Sequence, residues 1–150
     1  MRSITIYTDG SYYDDTEHAG WAFVAGIDDK VLHYECGTCT AESRQIGGEL
    51  MAAYNGVVWA LTAGYDHVNI AHDYTGVAYW LTPDPKFGKP WKASKGVAVD
   101  YVRNMMYFID KISFTKVKGH SGHPFNDLAD ILASRARKES LEEVKDFART

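Results

Sequence analysis

Residues 4–11 read Ile4-Thr5-Ile6-Tyr7-Thr8-Asp9-Gly10-Ser11. Ile4, Ile6 and Thr8 alternate with Thr5, Tyr7 and Asp9, the period of two that marks a strand. Asp9-Gly10-Ser11 interrupts the run and leaves an acid inside an otherwise apolar strand. Two more β-rich stretches follow, Gly20–Ile27 and Val31–Thr40, joined by the turn-like Asp28-Asp29-Lys30. Links this short favour an antiparallel meander.

The period then changes. Between Ser43 and about Ala63, Ile46, Leu50, Ala53, Val57 and Leu61 recur at helical spacing, and Gly64 is a natural stop. His67–Asp73 is a short strand and Thr75–Leu81 a short helix. Pro83, Pro85, Gly88 and Pro90 mark an irregular loop. Val97–Ile109 is helical, Ile112–Lys118 alternates as a strand, and Asn126 to about Lys138 is helical again. Leu141–Ala148 forms a last short helix. The order β-β-β-α-β-α-α-β-α predicts an α/β domain: a mixed sheet with helices packed on it. The right-handed crossover rule sets the strands after the helices parallel to the first. With no repeat, low-complexity tract or linker, one domain is expected, with its core over about 1–138 and a helical tail over 139–150.

Composition fits this. The chain has 150 residues, 45% apolar and 24% charged, enough for a sizeable core without disulfide staples. No run of about 18 apolar residues predicts a membrane span. The strand-like start carries no signal-peptide core, and two cysteines suit a reducing cytoplasm. The net charge is −4, which at first argues against a phosphate-rich partner. Its distribution is uneven: residues 1–85 hold 3 basic and 12 acidic side chains, residues 86–120 hold 8 and 2, and residues 121–150 hold 5 and 6.

Most of the twenty acids are solvated surface, but four are oddly placed. Asp9 sits inside an apolar strand, and Asp73 ends another of the same kind. Glu49 follows Gly47-Gly48 and precedes core-facing Leu50. Asp130 lies between Ala129 and Ile131 in the last main helix. Any one alone is more often structural, roughly nine times in ten. If the two strands are neighbours, all four acids converge on one end of the sheet. Packed carboxylates repel and raise one another's pKa values. Hard divalent cations such as Mg²⁺ or Mn²⁺ relieve this with oxygen-only ligands.

Four blocks, in order, resemble the signature of type 1 ribonuclease H. They are Thr8-Asp9-Gly10-Ser11, Gly48-Glu49-Leu50-Met51-Ala52-Ala53, His72-Asp73, and Lys118-Gly119-His120-Ser121-Gly122-His123 through Asn126 and Asp130. No single block is specific; the ordered set is. The resemblance implies a five-stranded mixed sheet, three meander strands plus parallel ones, flanked by helices. It implies hydrolysis of the RNA strand of RNA–DNA hybrids, leaving 3′-hydroxyl and 5′-phosphate ends. Its metal-binding acids fall on Asp9, Glu49, Asp73 and Asp130, and its catalytic histidine on His120. The implied cofactor is a pair of Mg²⁺ ions, with Mn²⁺ able to substitute. Two metals about 3.5–4 Å apart suit an in-line displacement at phosphorus.

The sequence also departs from the commoner pattern. Tyr74 stands where Ser usually follows the third acid, and Arg44-Gln45-Ile46 where paired Asn residues are common. Ser43, Arg44 and Gln45, with Gly10, Ser11 and Asn126, are the candidate hybrid contacts. The stretch Lys86–Lys95 is shorter than the long basic handle of some family members. It still offers Lys86, Lys89, Lys92 and Lys95 for phosphates and Trp91 for stacking. Trp80 and Trp91 serve equally well as core residues.

Other motifs carry less. Cys36-Gly-Thr-Cys39 has no second pair and sits in a strand, so two thiols are expected rather than a zinc site. His120-x-x-His123 lacks a third ligand. A DNA-cleaving nuclease of the same fold and a non-catalytic hybrid-binding module are the rival readings. The Lys118–His123 block opposes the first and the full set of acids the second. A monomer is expected. Setting the four acids aside leaves sixteen basic against sixteen acidic side chains, so the excess charge is the proposed metal site itself.

Overall fold

The computed structural model describes residues 1–12, 18–40, 44–93, 96–118 and 122–138. Three strands form the meander: β1 Ser3–Ser11, β2 His18–Ile27 and β3 Lys30–Thr40. Then come α1 Arg44–Thr62, β4 His67–His72, α2 Gly76–Tyr79, α3 Val97–Met106, β5 Ile112–Lys116 and α4 Pro124–Lys138. The sheet order is β3-β2-β1-β4-β5. The meander pairs are antiparallel, and β1–β4 and β4–β5 are parallel. The expected mixed five-stranded sheet is therefore found, with the first strand at its centre.

The alternation of β1 sorts the two layers. Ile4 and Ile6 face a core built with Phe23 and Ala25 of β2, Leu50, Ala53 and Val57 of α1, Val68 and Ile70 of β4, and Tyr101 and Met105 of α3. On the other face Ala22 and Val24 pack against Phe125, Ala129, Leu132 and Ala133 of α4, with Tyr7 at the margin. Helix α1 buries Leu50, Ala53, Val57 and Ala60, while Ile46 and Leu61 at the ends of the predicted stripe are only partly covered.

Boundaries shift where caps and turns act. The helix expected to reach Ile109 stops at Met106, and Ile109–Lys111 forms a 3₁₀ turn that leads straight into β5. Strand β5 ends at Lys116 rather than Lys118. Helix α4 starts two residues early because Pro124, with φ preset for a first turn, follows a histidine cap: Phe125 N–H donates to His123 Nδ1 at 3.2 Å. Strand β2 begins at His18, opposite Thr40. The hairpin between β2 and β3 turns at Asp28, whose φ of 56° is a left-handed value that Asp tolerates better than most residues. Residues 139–150, where the last short helix was expected, lie outside the described residues. No described helix is long and apolar enough to cross a membrane.

Candidate active site

The register of the central strands sets the site. In the parallel β1–β4 pair Tyr7 stands opposite Ala71. Two residues further along each chain come Asp9 and Asp73, side by side where the pairing ends. Helix α1 delivers the third acid. It crosses β1 and β2 so closely that a Cβ on Gly48 would collide with the Gly20 carbonyl and lie 3.1 Å from the Gly10 Cα. Only glycine permits that approach, and the next residue, Glu49, is carried down onto the strand ends. A Cβ on Gly20 would in turn collide with the Ala133 carbonyl of α4. Both helices are thus pressed onto the sheet beside Asp9, from opposite faces.

Asp9, Glu49 and Asp73 each offer a carboxylate oxygen, and these oxygens all lie within 4.8 Å of one another. Asp9 accepts a hydrogen bond from the Gly10 N–H at 2.9 Å. Burial, the facing Asp130 of α4 and the charge of Asp73 push the Asp9 carboxyl up to about 7, while contact with Glu49 opposes the rise. Glu49 is 4% exposed, and burial followed by the charges of Asp9 and Asp73 drives its carboxyl well above the usual range. Its Oε2 is buried with no hydrogen-bond partner. Tyr74 and Tyr101 also rise, through burial first and then the Glu49 charge. Such a cluster is expensive as bare charge, and an orphaned carboxylate oxygen among oxygen-only donors is what a hard divalent cation requires. The residues therefore fit a metal.

The other candidates are placed unevenly. Asp130 sits on α4 within interacting range of Asp9. Gly10 is half-buried and bonds the Asp9 carboxylate through its N–H. The Ser11 hydroxyl accepts from Arg137 Nε at 3.0 Å and lies 3.4 Å from the Ser134 hydroxyl, tying the end of β1 to α4. Asn126 is 7% exposed, inside the first turn of α4. Lys89 and Lys92 are exposed on the loop after α2. Trp91 is half-buried: its Nε1–H donates to Asp84 Oδ2 at 2.7 Å, and its ring meets Trp80 edge-on at 5.4 Å. Of the two uses read for Trp91, packing is the one these contacts describe. Ser43, Lys95 and His120 lie outside the described residues, as do the side chains of Arg44 and Gln45.

Three groups make contacts that the sequence does not assign to them. Tyr101 lies beside Glu49 and donates to the Val77 carbonyl at 2.6 Å. His123 stacks on Tyr7 with ring centroids 4.7 Å apart. Asp84 is buried within a lysine-rich loop. His123 closes the Lys118–His123 block and Asp84 is an acid between two prolines, but neither signal says which groups they touch. Cys36 and Cys39, three apart on β3, point to opposite faces of the sheet, so they do not make a joint metal site.

Fold and cluster together define a class: an α/β domain whose central strand ends in an all-oxygen site able to hold a divalent cation. The model of the RNase H family matches residues 1–138. The ribonuclease H of Hahella chejuensis is 33% identical over 155 aligned residues, covering 96% of this chain and 99% of that protein. That of Alcanivorax borkumensis is 31% identical, covering 93% and 94%. Among solved structures, the N-terminal RNase H domain of Rv2228c from Mycobacterium tuberculosis superposes with a TM-score of 0.72 at 18% identity, covering 99% of both chains. LC11-RNase H1 in complex with RNA/DNA hybrid gives 0.65 at 18% identity, covering 90% and 96%.

The chain belongs to the ribonuclease H family. It is a ribonuclease H enzyme, a nuclease for the RNA strand of RNA–DNA hybrids.

Proposed function

We propose that Asp9, Glu49, Asp73 and Asp130 are the residues with which this enzyme cuts the RNA strand, and that they hold two Mg²⁺ ions for which Mn²⁺ can substitute. The observation that carries this is the convergence of the Asp9, Glu49 and Asp73 oxygens within 4.8 Å, around a buried Glu49 oxygen that no protein group satisfies. Bound there, the cations supply water activation and charge neutralisation at the scissile phosphate.

The chain's own groups do the rest. Asp9, centred among the other acids and oriented by the Gly10 N–H, is the ligand best placed to be shared. Burial raises the pKa values of Tyr101 and Tyr74, and both lie close enough to Glu49 for its charge to raise them further. By the family resemblance, His120 is assigned to proton transfer or product release. Gly10, Ser11, Ser43, Arg44, Gln45 and Asn126 are assigned to hybrid binding, and Lys86, Lys89, Lys92 and Lys95 to its phosphates, with Trp91 as the packing surface beside them. Recognition by backbone shape and the 2′-hydroxyl predicts little sequence preference. The enzyme acts as a cytoplasmic monomer on this reading, since a single chain brings the acids together and its cysteines are thiols.

The test offers labelled hybrid, double-stranded RNA, duplex DNA and single-stranded RNA, each with Mg²⁺, Mn²⁺ or chelator. Cleavage confined to the hybrid, lost with chelator and lost in Asp9→Asn, is the expected result. Equal cleavage of duplex DNA, or activity that survives Asp9→Asn, overturns it.

A further inference from the structure

The loop between α2 and α3 carries Lys86, Lys89 and Lys92, all exposed, around an acid that is 5% exposed. Among the described residues no ion pair joins Asp84 to these lysines, although its hydrogen bonds, and after them the Lys86 charge, hold its carboxyl down. Its two oxygens are instead committed to the loop itself. Oδ1 accepts the Lys86 backbone N–H at 2.9 Å, and Oδ2 accepts the Trp91 indole N–H at 2.7 Å. The Asp84 carbonyl takes the N–H groups of Phe87 and Gly88 at 3.0 and 2.8 Å, and its own N–H donates to the Lys89 carbonyl at 3.1 Å. Gly88, at φ +71°, closes this turn in the left-handed region. Asp84 is thus the hub of a six-residue turn whose exposed tips are lysines and Phe87.

Trp91 ties that turn to the catalytic end of the sheet. Its backbone N–H donates to the Tyr79 carbonyl of α2 at 2.7 Å. Its ring packs against Trp80, Tyr79 and Tyr74, with centroids 5.4, 6.0 and 6.5 Å away. Tyr74 directly follows Asp73, one of the three clustered acids. The contacts Asp84–Trp91–Tyr74 therefore lead from the lysine turn to the neighbour of a site carboxylate.

We propose that Asp84 is a positioning residue for the substrate: through its bonds to Trp91 and Lys86 it fixes the lysine turn, so that Lys86, Lys89 and Lys92 hold the hybrid's phosphates at a set distance from the acidic cluster. This rests on the hybrid-cleaving reading above and adds the device that sets the grip. Long lysine side chains lose much rotamer freedom on binding, and a pre-shaped turn limits that loss to the side chains. Releasing the turn weakens the phosphate contacts without touching the acids.

The test uses the full chain with Asp84→Ala, Trp91→Phe, which keeps the ring and removes the indole N–H, and the double variant. KM and kcat are measured on a labelled hybrid across salt concentrations, and hybrid affinity is measured by anisotropy with chelator present. Each single variant is expected to raise KM about five- to tenfold with kcat within about twofold. The slope of log affinity against log salt flattens by about one, the loss of one phosphate contact or more. The double variant is no worse than Asp84→Ala alone, because that variant already breaks the one bond Trp91→Phe removes, along with the bond to the Lys86 N–H. Unchanged KM and salt slope in both single variants, with the parent binding and cutting hybrid, overturn the proposal alone. So does a kcat that falls together with the melting temperature at an unchanged slope, the mark of a purely structural acid. A parent that binds hybrid without cutting it overturns the cleavage reading and leaves the affinity arm to decide this one. A parent that does neither overturns both.

Discussion

Gly48 of α1 and Gly20 of β2 meet backbone to backbone, with the Gly20 carbonyl occupying the space that a side chain on Gly48 would need. Glu49 owes its position on the strand ends to that contact. In Gly48→Ala two effects compete. Alanine favours a helix over glycine by about 1 kcal/mol. The added methyl, however, meets a carbonyl rather than a flexible side chain, and overpacking of that kind costs about 1–3 kcal/mol. The clash wins. The variant is expected to melt about 2–5 °C lower, on the scale of a chain this size, and to lose activity beyond that as Glu49 is levered away. Melting curves and hybrid cleavage on the same preparation separate the two losses. A variant as active and as stable as the parent would mean that α1 does not depend on this approach.

Glu49→Gln separates stability from catalysis in the opposite sense. The carboxyl is buried beside two other acids, and one of its oxygens has no partner. Replacing it with a neutral side chain of the same shape removes repulsion and desolvation from the metal-free protein. Melting with chelator at pH 8 is expected to rise or hold, while cleavage falls by more than about a hundredfold, beyond what losing a partner behind a ligand costs. The stabilisation on adding Mg²⁺ shrinks as well. Near-parent cleavage would remove Glu49 from the site.

The sequence showed the sheet and the cluster because both depend on local periodicity and chain order. Ile4, Ile6 and Thr8 mark a strand with two faces. The switch to spacing of three and four at Ile46, Leu50 and Ala53 marks the crossover helix, and the crossover rule makes β4 parallel to β1. That the two strands are neighbours, which brings Asp73 to Asp9, is seen only in the structure. What stayed hidden depends on contacts between segments far apart or on atoms within a loop. Periodicity does not say that Gly20 is pinched between Gly48 and Ala133, or that Tyr101 reaches the Val77 carbonyl. Between Pro83 and Pro90 there is no period at all, so the role of Asp84 as the hub of a turn follows only from which donors its two oxygens meet. Helix ends differ from the sequence pattern for a similar reason. Apolar spacing continues through Phe108 and Ile109, but the backbone tightens after Met106 to enter β5.

Tyr101→Phe tests how much one buried hydroxyl holds α3 to α2. The phenol donates to the Val77 carbonyl at 2.6 Å, and both burial and the Glu49 charge push its pKa up, so it keeps its proton at any working pH. Loss of one such bond costs about 1 kcal/mol, a drop of about 2–4 °C in melting temperature. The drop is expected to be the same at pH 6 and pH 9, because the group that is lost does not titrate between them. A penalty that appears only at one of these values would place a titrating partner on the hydroxyl.

The acids give the metal-free protein a pH dependence of unusual sign. Asp9 in the folded chain is pushed up to about 7 from an ordinary value of 3.8, chiefly by burial, and Glu49 moves the same way. Between those two values the folded state holds protons that the unfolded chain has released, so folding stability falls as pH rises. The contribution is complete below about pH 4 and is lost as the pH climbs through 7. Carboxylates that are ion-paired in the folded state give the reverse. Melting temperature with chelator is therefore expected to fall from pH 5 to pH 8. A cation that binds the ionised acids displaces those protons and binds more tightly as pH rises. Added Mg²⁺ should accordingly raise the melting temperature more at pH 8 than at pH 5, and the parent's downward slope should flatten. Asp9→Asn, with one of the proton-holding groups removed, should show a shallower slope with chelator and a smaller response to Mg²⁺. A parent slope that rises over this range, or a Mg²⁺ response independent of pH, would show that Asp9 and Glu49 are ionised without a cation and that the cluster does not need one to neutralise it.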